Sequence, residues 1–327
     1  MNALRLLMFP LLLVAFQPLF MAGMVGFMVR LKTRNRGITA TAYEPLFNRM
    51  LFHHAGTRDD RAAVKLAPHL PALSPTVAWL MIGTMGLAAR LSGYQGSILS
   101  YPGARPSSMI LVMVHRTAFF DEALASAVDP TGPHPAQQVV FLGAGWDTRA
   151  YGALRDRPVR MFEVDTPAPQ RAKTQALERA GIDASHVTFV ETDFGQTSWL
   201  DALLVRGFDP ALPTFILWEG VTMYLDEETV QTTLRKVSGL AVGSRIAFDT
   251  MSLEYFQGFF GQYMHLMIKG FYGESLQFFL STAAPARKQA SDFIASQGLA
   301  LAAYEAVGEE RGKTIPLGGF TLAERSG

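Results

Sequence analysis

The chain has no cysteine among its 327 residues, and only 17% of them are charged. The first absence excludes thiol catalysis, disulfides and thiolate metal sites. The seven histidines do not replace thiolates as a metal set, because the paired His53 and His54 are adjacent and would not share one helix face. No metal is expected. There is no basic run with interleaved aromatics, and the formal net charge is +1, so nucleic acid is not an expected partner. A G-x-x-x-x-G-K-[ST] sequence is missing, which disfavours a phosphate-cradling nucleotidase. Neither internal repeats nor low-complexity tracts are evident. What is abundant is hydrophobic side chain, at 49%, enough for a sizeable core in one large domain with additions.

Against that background one stretch is informative. Val139-Val140-Phe141-Leu142 reads as a buried strand, and Gly143-Ala144-Gly145-Trp146-Asp147-Thr148-Arg149 as a glycine turn with a helix start. Met161-Phe162-Glu163-Val164-Asp165 reads as a second strand ending in acids. Glycines at 143 and 145 let a ligand approach the backbone and its N–H groups. Asp165 lies 20 positions after Gly145 and Glu163 lies 18, the spacing at which an acid accepts ribose hydroxyl hydrogens. An adenosine cofactor is the implied ligand.

A dinucleotide fingerprint would place a third glycine where this chain has Thr148. Hydride carriers therefore stand second, and an NAD(P)-dependent oxidoreductase is the competing enzyme class. Adenosine without phosphate fits better, which points to S-adenosyl-L-methionine.

His115-Arg116-Thr117-Ala118-Phe119-Phe120-Asp121, the glycine turn, Phe162-Glu163-Val164-Asp165, Thr192-Asp193-Phe194 and Trp218-Glu219-Gly220-Val221-Thr222-Met223-Tyr224-Leu225 occur in that order. As a set they resemble the leucine carboxyl methyltransferase family of class I S-adenosyl-L-methionine-dependent enzymes. The resemblance covers residues 105 to 250 and weakens towards Gly318-Gly319-Phe320-Thr321-Leu322-Ala323-Glu324; before residue 100 it is looser and confined to a membrane-anchored bacterial branch. It implies that Arg116 pairs with the cofactor's carboxylate, that Gly143 and Gly145 border methionine and ribose, and that Asp165 holds the ribose, with Glu163 a near alternative. It further implies that Asp193 accepts from the adenine amino group and that Phe194 supplies an apolar wall. A surface arginine and a solvated loop acid are the ordinary alternatives for Arg116 and Asp193.

Glu219 follows an apolar strand, Thr214-Phe215-Ile216-Leu217-Trp218, where open α/β sheets place ligand groups. A carboxylate there suits the stabilisation of a cation. Methyl transfer needs alignment and exclusion of water more than a dedicated acid–base set, so the catalytic residue stays unassigned, with Glu219, Tyr224 and His115 as pocket candidates. Asp147 and Arg149 are expected to open the first helix and shape the pocket.

The N-terminus is the second informative feature. Residues 6–29 carry no charge, and that is enough to cross a hydrocarbon core needing about 20 residues. Pro10 and Pro18 are tolerated in membrane helices better than in soluble ones. Arg30, Lys32, Arg34 and Arg36 crowd the C-terminal flank, so the positive-inside rule places the main domain in the cytoplasm. A cleaved signal peptide and a buried or interfacial helix are the rival readings. The second apolar stretch, 76–89, is shorter and comes after Ser74-Pro75; it reads as a core, interfacial or re-entrant segment.

The expected plan is therefore an anchor with its basic flank at 1–36, a helical extension at 37–104 and a Rossmann-like class I methyltransferase domain at 105–327. That domain would hold a seven-stranded, mostly parallel sheet with helices on both faces and a reversed last strand, and an insertion at 253–285 covering the pocket. Further strands are read at 187–190, 245–248, 299–304 and 318–323, and helices at 227–240 and 286–297. The expected function is methyl transfer to oxygen, on a carboxylate or hydroxyl of a small apolar molecule or a protein C-terminus. A non-catalytic membrane adaptor on a decayed Rossmann-like domain is the alternative outside enzymes.

Overall fold

The structure is a computed structural model that describes residues 3–103, 111–193, 198–308 and 315–327. The chain forms two compact units. One comprises residues 1–103, 145–155 and 168–185, and the other 104–144, 156–167 and 186–327.

Among the described residues, the second unit holds one sheet of eight strands. They are β1 Gln138–Leu142, β2 Arg160–Asp165, β3 Val187–Glu191, β4 Thr214–Trp218, β5 Arg245–Ser252, β6 Phe279–Leu280, β7 Ala300–Ala306 and β8 Gly318–Glu324. The long strands lie in the order β3-β2-β1-β4-β5-β8-β7, parallel from β3 to β5, with β8 antiparallel to both its neighbours. The strands Gln138–Leu142 and Thr214–Trp218, apolar after their first residue, are buried at every position, as interior strands of a two-faced sheet must be. Val140, Leu142, Phe162, Val164, Ile216 and Trp218 point to one face and form its core with Leu203, Val230, Leu234 and Ile294 from helices. On the other face the helix Val112–Ala127 brings Phe119 and Phe120 against Phe320, at ring-centroid distances of 5.7 and 6.4 Å.

Local chemistry explains the element ends. In the helix Glu227–Ser238 the Asp226 carboxylate accepts from the Thr229 N–H at 2.7 Å. Glu227 and Glu228 stand at its positive end and Arg235 and Lys236 at its negative end.

Two expectations are corrected. The sheet has one strand more than seven, because β5 runs four residues past its last partner on β4 (Trp218 opposite Phe248) and leaves an open edge there. Phe279–Leu280 pairs with that edge at Met251 and Ser252. The second correction concerns the helix expected to start at Asp147 and Arg149. Only a 3-10 turn forms, Arg149–Tyr151. The Asp147 carboxylate takes the Arg149 N–H at 2.8 Å and also binds the Arg149 guanidinium, so the side chain closes a local turn in place of a helix.

The first unit is helical. Helix α1, Ala3–Arg34, contains Pro10 and Pro18 and leaves most of its apolar surface exposed. Residues 75–92 form a second helix, α-helical at both ends with a π turn at Trp79–Gly83. Ser74 caps it, accepting from the Val77 N–H at 3.2 Å. The two helices run antiparallel: Phe9 stacks on Tyr94 at 4.4 Å, whereas a Cβ at Gly23 would lie 2.7 Å from Leu80 Cβ and one at Gly26 3.0 Å from Val77. Small residues at 23 and 26 thus permit the close crossing.

Candidate functional site

Reversal of strand order between β1 and β4 creates a switch point at the carboxyl edge of the sheet, the place where open α/β sheets bind ligands. Four of the expected site residues stand along this edge in the second unit. Gly143 follows β1, Asp165 ends β2, Asp193 lies two residues beyond β3, and Glu219 follows β4. Gly143 has φ +70°, and a Cβ there would lie 2.5 Å from Val221. Glycine is required at 143 by both backbone conformation and space. Its N–H donates to the Val164 carbonyl at 2.8 Å, tying the β1 turn to the residue before Asp165.

Asp165 is half-buried, and its carboxylate accepts from the Thr166 N–H at 2.7 Å. Its carbonyl accepts from the Thr192 N–H at 2.9 Å, which fixes the backbone immediately before the exposed Asp193. Glu163 lies two residues inside β2 on the same pleat face as Asp165, and it is buried. Phe194 lies outside the described residues.

Arg116 and Glu219 meet. The Arg116 Nε is 3.1 Å from Glu219 Oε1 and 3.3 Å from Asp249 Oδ2, with all three side chains nearly buried. Asp249, on β5 one position past the strand's pairing with β4, was not among the residues expected from sequence. The signal available was an acid directly after the apolar strand read at 245–248, at the same sheet edge as Glu219. The Gly220 N–H donates to Asp249 Oδ1 at 2.8 Å. Burial pushes the Asp249 carboxyl up, opposed by the Arg116 guanidinium and the Gly220 N–H, while Glu219 pushes it further up. One guanidinium thus faces two carboxyl groups, a surplus of acid that suits a cation.

His115 is fully buried on the same helix, 4.0 Å from Glu305 on β7. Glu305 and Asp249 both lie opposite Phe320 in the sheet, so one transverse row of the sheet carries both acids. Tyr224 ends the 3-10 turn Thr222–Tyr224; it is half-buried beside Met223, Phe256 and Leu276. Met223, Phe119 and Phe120 are core residues.

Gly145, Asp147 and Arg149 belong to the first unit. Gly145 also has positive φ, +41°. Asp147 and Arg149 sit in a buried ionic network that reaches far back in sequence. Arg49 donates to the Trp146 carbonyl at 2.8 Å and to Asp147 Oδ2 at 3.3 Å, and its Nε is 3.7 Å from Asp60 Oδ2. Asp60 accepts from the Thr148 hydroxyl at 2.9 Å and from Arg58 at 2.6 Å. Burial disfavours the Asp147 anion, but Arg149 and Arg49 override it and hold the carboxyl far below its ordinary range. Trp146 packs against Tyr43 at 5.4 Å, and Tyr43 against Phe27 of α1 at 5.4 Å. Among the described residues no cluster of His, Asp and Glu could hold a metal ion.

Known proteins share parts of this chain. Residues 90–238 match the model of the leucine carboxyl methyltransferase family. A Streptomyces coelicolor protein named for S-adenosyl-L-methionine-dependent methyltransferase activity is 38% identical over 144 residues, 41% of this chain and 49% of its own length. A similarly named protein of Mycolicibacterium vanbaalenii is 31% identical over 194 residues, 58% of this chain and 62% of its own. The chain spans about half the length of most curated relatives it matches. Among solved structures, an O-methyltransferase family protein from Burkholderia thailandensis is 16% identical, with a TM-score of 0.43 over 66% of this chain and 60% of that one. The family match and the named relatives support the family resemblance drawn from the motifs.

Proposed function

We propose that this chain is an S-adenosyl-L-methionine-dependent methyltransferase that acts on oxygen, at a carboxylate or hydroxyl of a small apolar molecule or of a protein C-terminus. The observation that carries this reading is the succession of Gly143, Asp165, Asp193 and Glu219 at the carboxyl ends of β1 to β4, beside an Arg116 held between two acids. The residues fit the cofactor. Gly143 would open the backbone to it, Asp165 would accept from the ribose hydroxyls, and Asp193 would accept from the adenine amino group. Arg116 would pair with the amino-acid carboxylate, while Glu219 and Asp249 would balance the ammonium and sulfonium charges.

When bound, the cofactor supplies both the methyl group and its leaving group. The protein's part is then to align the acceptor oxygen and exclude water. His115 and Tyr224 remain candidates for the acceptor side. The oxygen preference rests on the family resemblance. The apolar helix α1 supports a cytoplasmic-membrane enzyme with its catalytic part facing the cytoplasm: residues Leu7–Arg34 have the length and hydropathy to cross a bilayer, and the basic flank lies directly after the apolar run.

Calorimetric titration of the detergent-solubilised chain with S-adenosylhomocysteine, with NADH as the control ligand, tests this reading. The first ligand alone is expected to bind. Asp165→Asn should weaken it by about 1.5–3 kcal/mol, roughly ten- to a hundredfold, because a charge-assisted pair of hydrogen bonds is lost. Binding of NADH alone, or of neither ligand, overturns the proposal.

A further inference from the structure

The helix Phe259–Tyr272 has two apolar faces, and its own unit uses only one. Gly261, Met264 and Ile268 turn inward; the latter two pack on Met223, Phe256 and Leu276. A Cβ at Gly261 would collide with the Tyr255 carbonyl oxygen, so the helix is pressed closely onto the preceding short helix Leu253–Gln257 and its orientation is set. The opposite stripe is Phe259, Phe260, Tyr263, Leu266 and Met267, at the i, i+1, i+4, i+7, i+8 spacing of one helical face. Phe259 is 80% exposed, Phe260 74% and Leu266 67%. A contiguous apolar face of this kind on a folded domain marks an interaction surface.

We infer that this stripe lies in the interfacial layer of a lipid bilayer, and that the Phe259–Tyr272 helix is a second membrane contact of the chain. Three observations select lipid. Phe and Tyr dominate the outer stripe, and an aromatic body with a polar tip, as in Tyr263, is the side chain favoured at the headgroup level. The helix contains no Asp or Glu, while Lys269 stands in its last turn, so its charge complements an anionic lipid surface. The same chain carries α1, whose exposed Leu7, Leu11, Val14 and Val25 need the same solvent. The inference rests on the anchored-enzyme reading for the presence of a bilayer. It goes beyond that reading by assigning a lipid contact to the part of the chain expected to cover the pocket, so that an apolar acceptor would be taken from the membrane phase.

The absence of cysteine makes a direct test clean. Single substitutions F260C, L266C, Q262C and V14C in the full chain, each spin-labelled, are reconstituted into vesicles of equal parts phosphatidylglycerol and phosphatidylcholine. Collision of each label with oxygen and with a water-soluble nickel chelate is then measured. Labels at 260 and 266 should favour oxygen several-fold over the label at 262, as should the label at 14. Labels at 260 and 266 that favour the nickel chelate while 14 favours oxygen overturn the inference and leave the anchor standing. If 14 also favours the chelate, the anchor reading falls with it. Spin–spin broadening at 260 that disappears on dilution with unlabelled chain shows a second copy on this face and likewise overturns the lipid assignment.

Discussion

Arg49 is the residue whose place in the structure most exceeds what its type suggests. It is buried, lies outside the span matched by the family model, and binds Asp147, the Trp146 carbonyl and Asp60 together. Removing one member of a buried ionic set leaves charge without compensation, which costs about 3–5 kcal/mol. Arg49→Met should therefore lower unfolding stability by that amount in denaturant titration, while Arg49→Lys loses less. The pH dependence has a definite sign. The Asp147 carboxyl is held below its ordinary range in the folded chain, so its contribution is complete above the unfolded carboxylate's pKa and is lost as pH falls towards the folded value. Asp147→Asn should flatten that acid limb. Asp249 has the opposite sign, since burial raises it: the proton it holds stabilises the fold at low pH, and that contribution is lost as pH rises through its folded pKa. Sequence alone revealed Arg116, Asp165, Asp193 and Glu219 as site candidates because each lies at or near a recognisable strand end or in a matching motif. Arg49 and Asp60 carry no such local mark, for their partners are 97 and 88 positions away.

Among the elements, the pairing of α1 with the 75–92 helix explains glycines that composition left without a purpose. Gly23 and Gly26 lie where an added Cβ would press on Leu80, Met81 and Val77 of that helix. Gly23→Leu would drive its side chain into Leu80 and Met81 and should lower the melting temperature in detergent, with Gly23→Ala intermediate. An unchanged melt would show that the crossing is loose. The strands other than β6 were legible as elements because they read as short apolar runs, and 245–248 and 318–323 needed extension by only a few residues, whereas the two residues of β6 are too few to show a pattern. The helix after β1 was not legible. Asp147 near a helix start and Asp147 closing an Asx turn carry the same local sequence, and Arg49 and Arg149 decide between them.

For the whole molecule, the proposed membrane attachment rests on α1. Within Leu7–Arg34 the apolar run is long enough to cross a bilayer and little of it is buried, unlike the core helix of a soluble domain. Membranes from cells expressing the chain should keep it through an alkaline carbonate wash and release it to detergent; release by carbonate would reduce α1 to an interfacial helix.

The amino-acid sequence by itself determined the alternation of apolar strand and acidic strand end, the glycine at 143 and the charge-free N-terminal run, because each depends on local pattern and on the few residues that a turn or a bilayer admits. The tertiary structure decided which charges meet. It set Asp249 beside Arg116, paired the carboxylate that closes the turn after β1 with Arg49, and left one face of the Phe259–Tyr272 helix uncovered. Those outcomes depend on which side chains share a dry volume, where charges must be compensated and apolar faces either find partners or remain exposed.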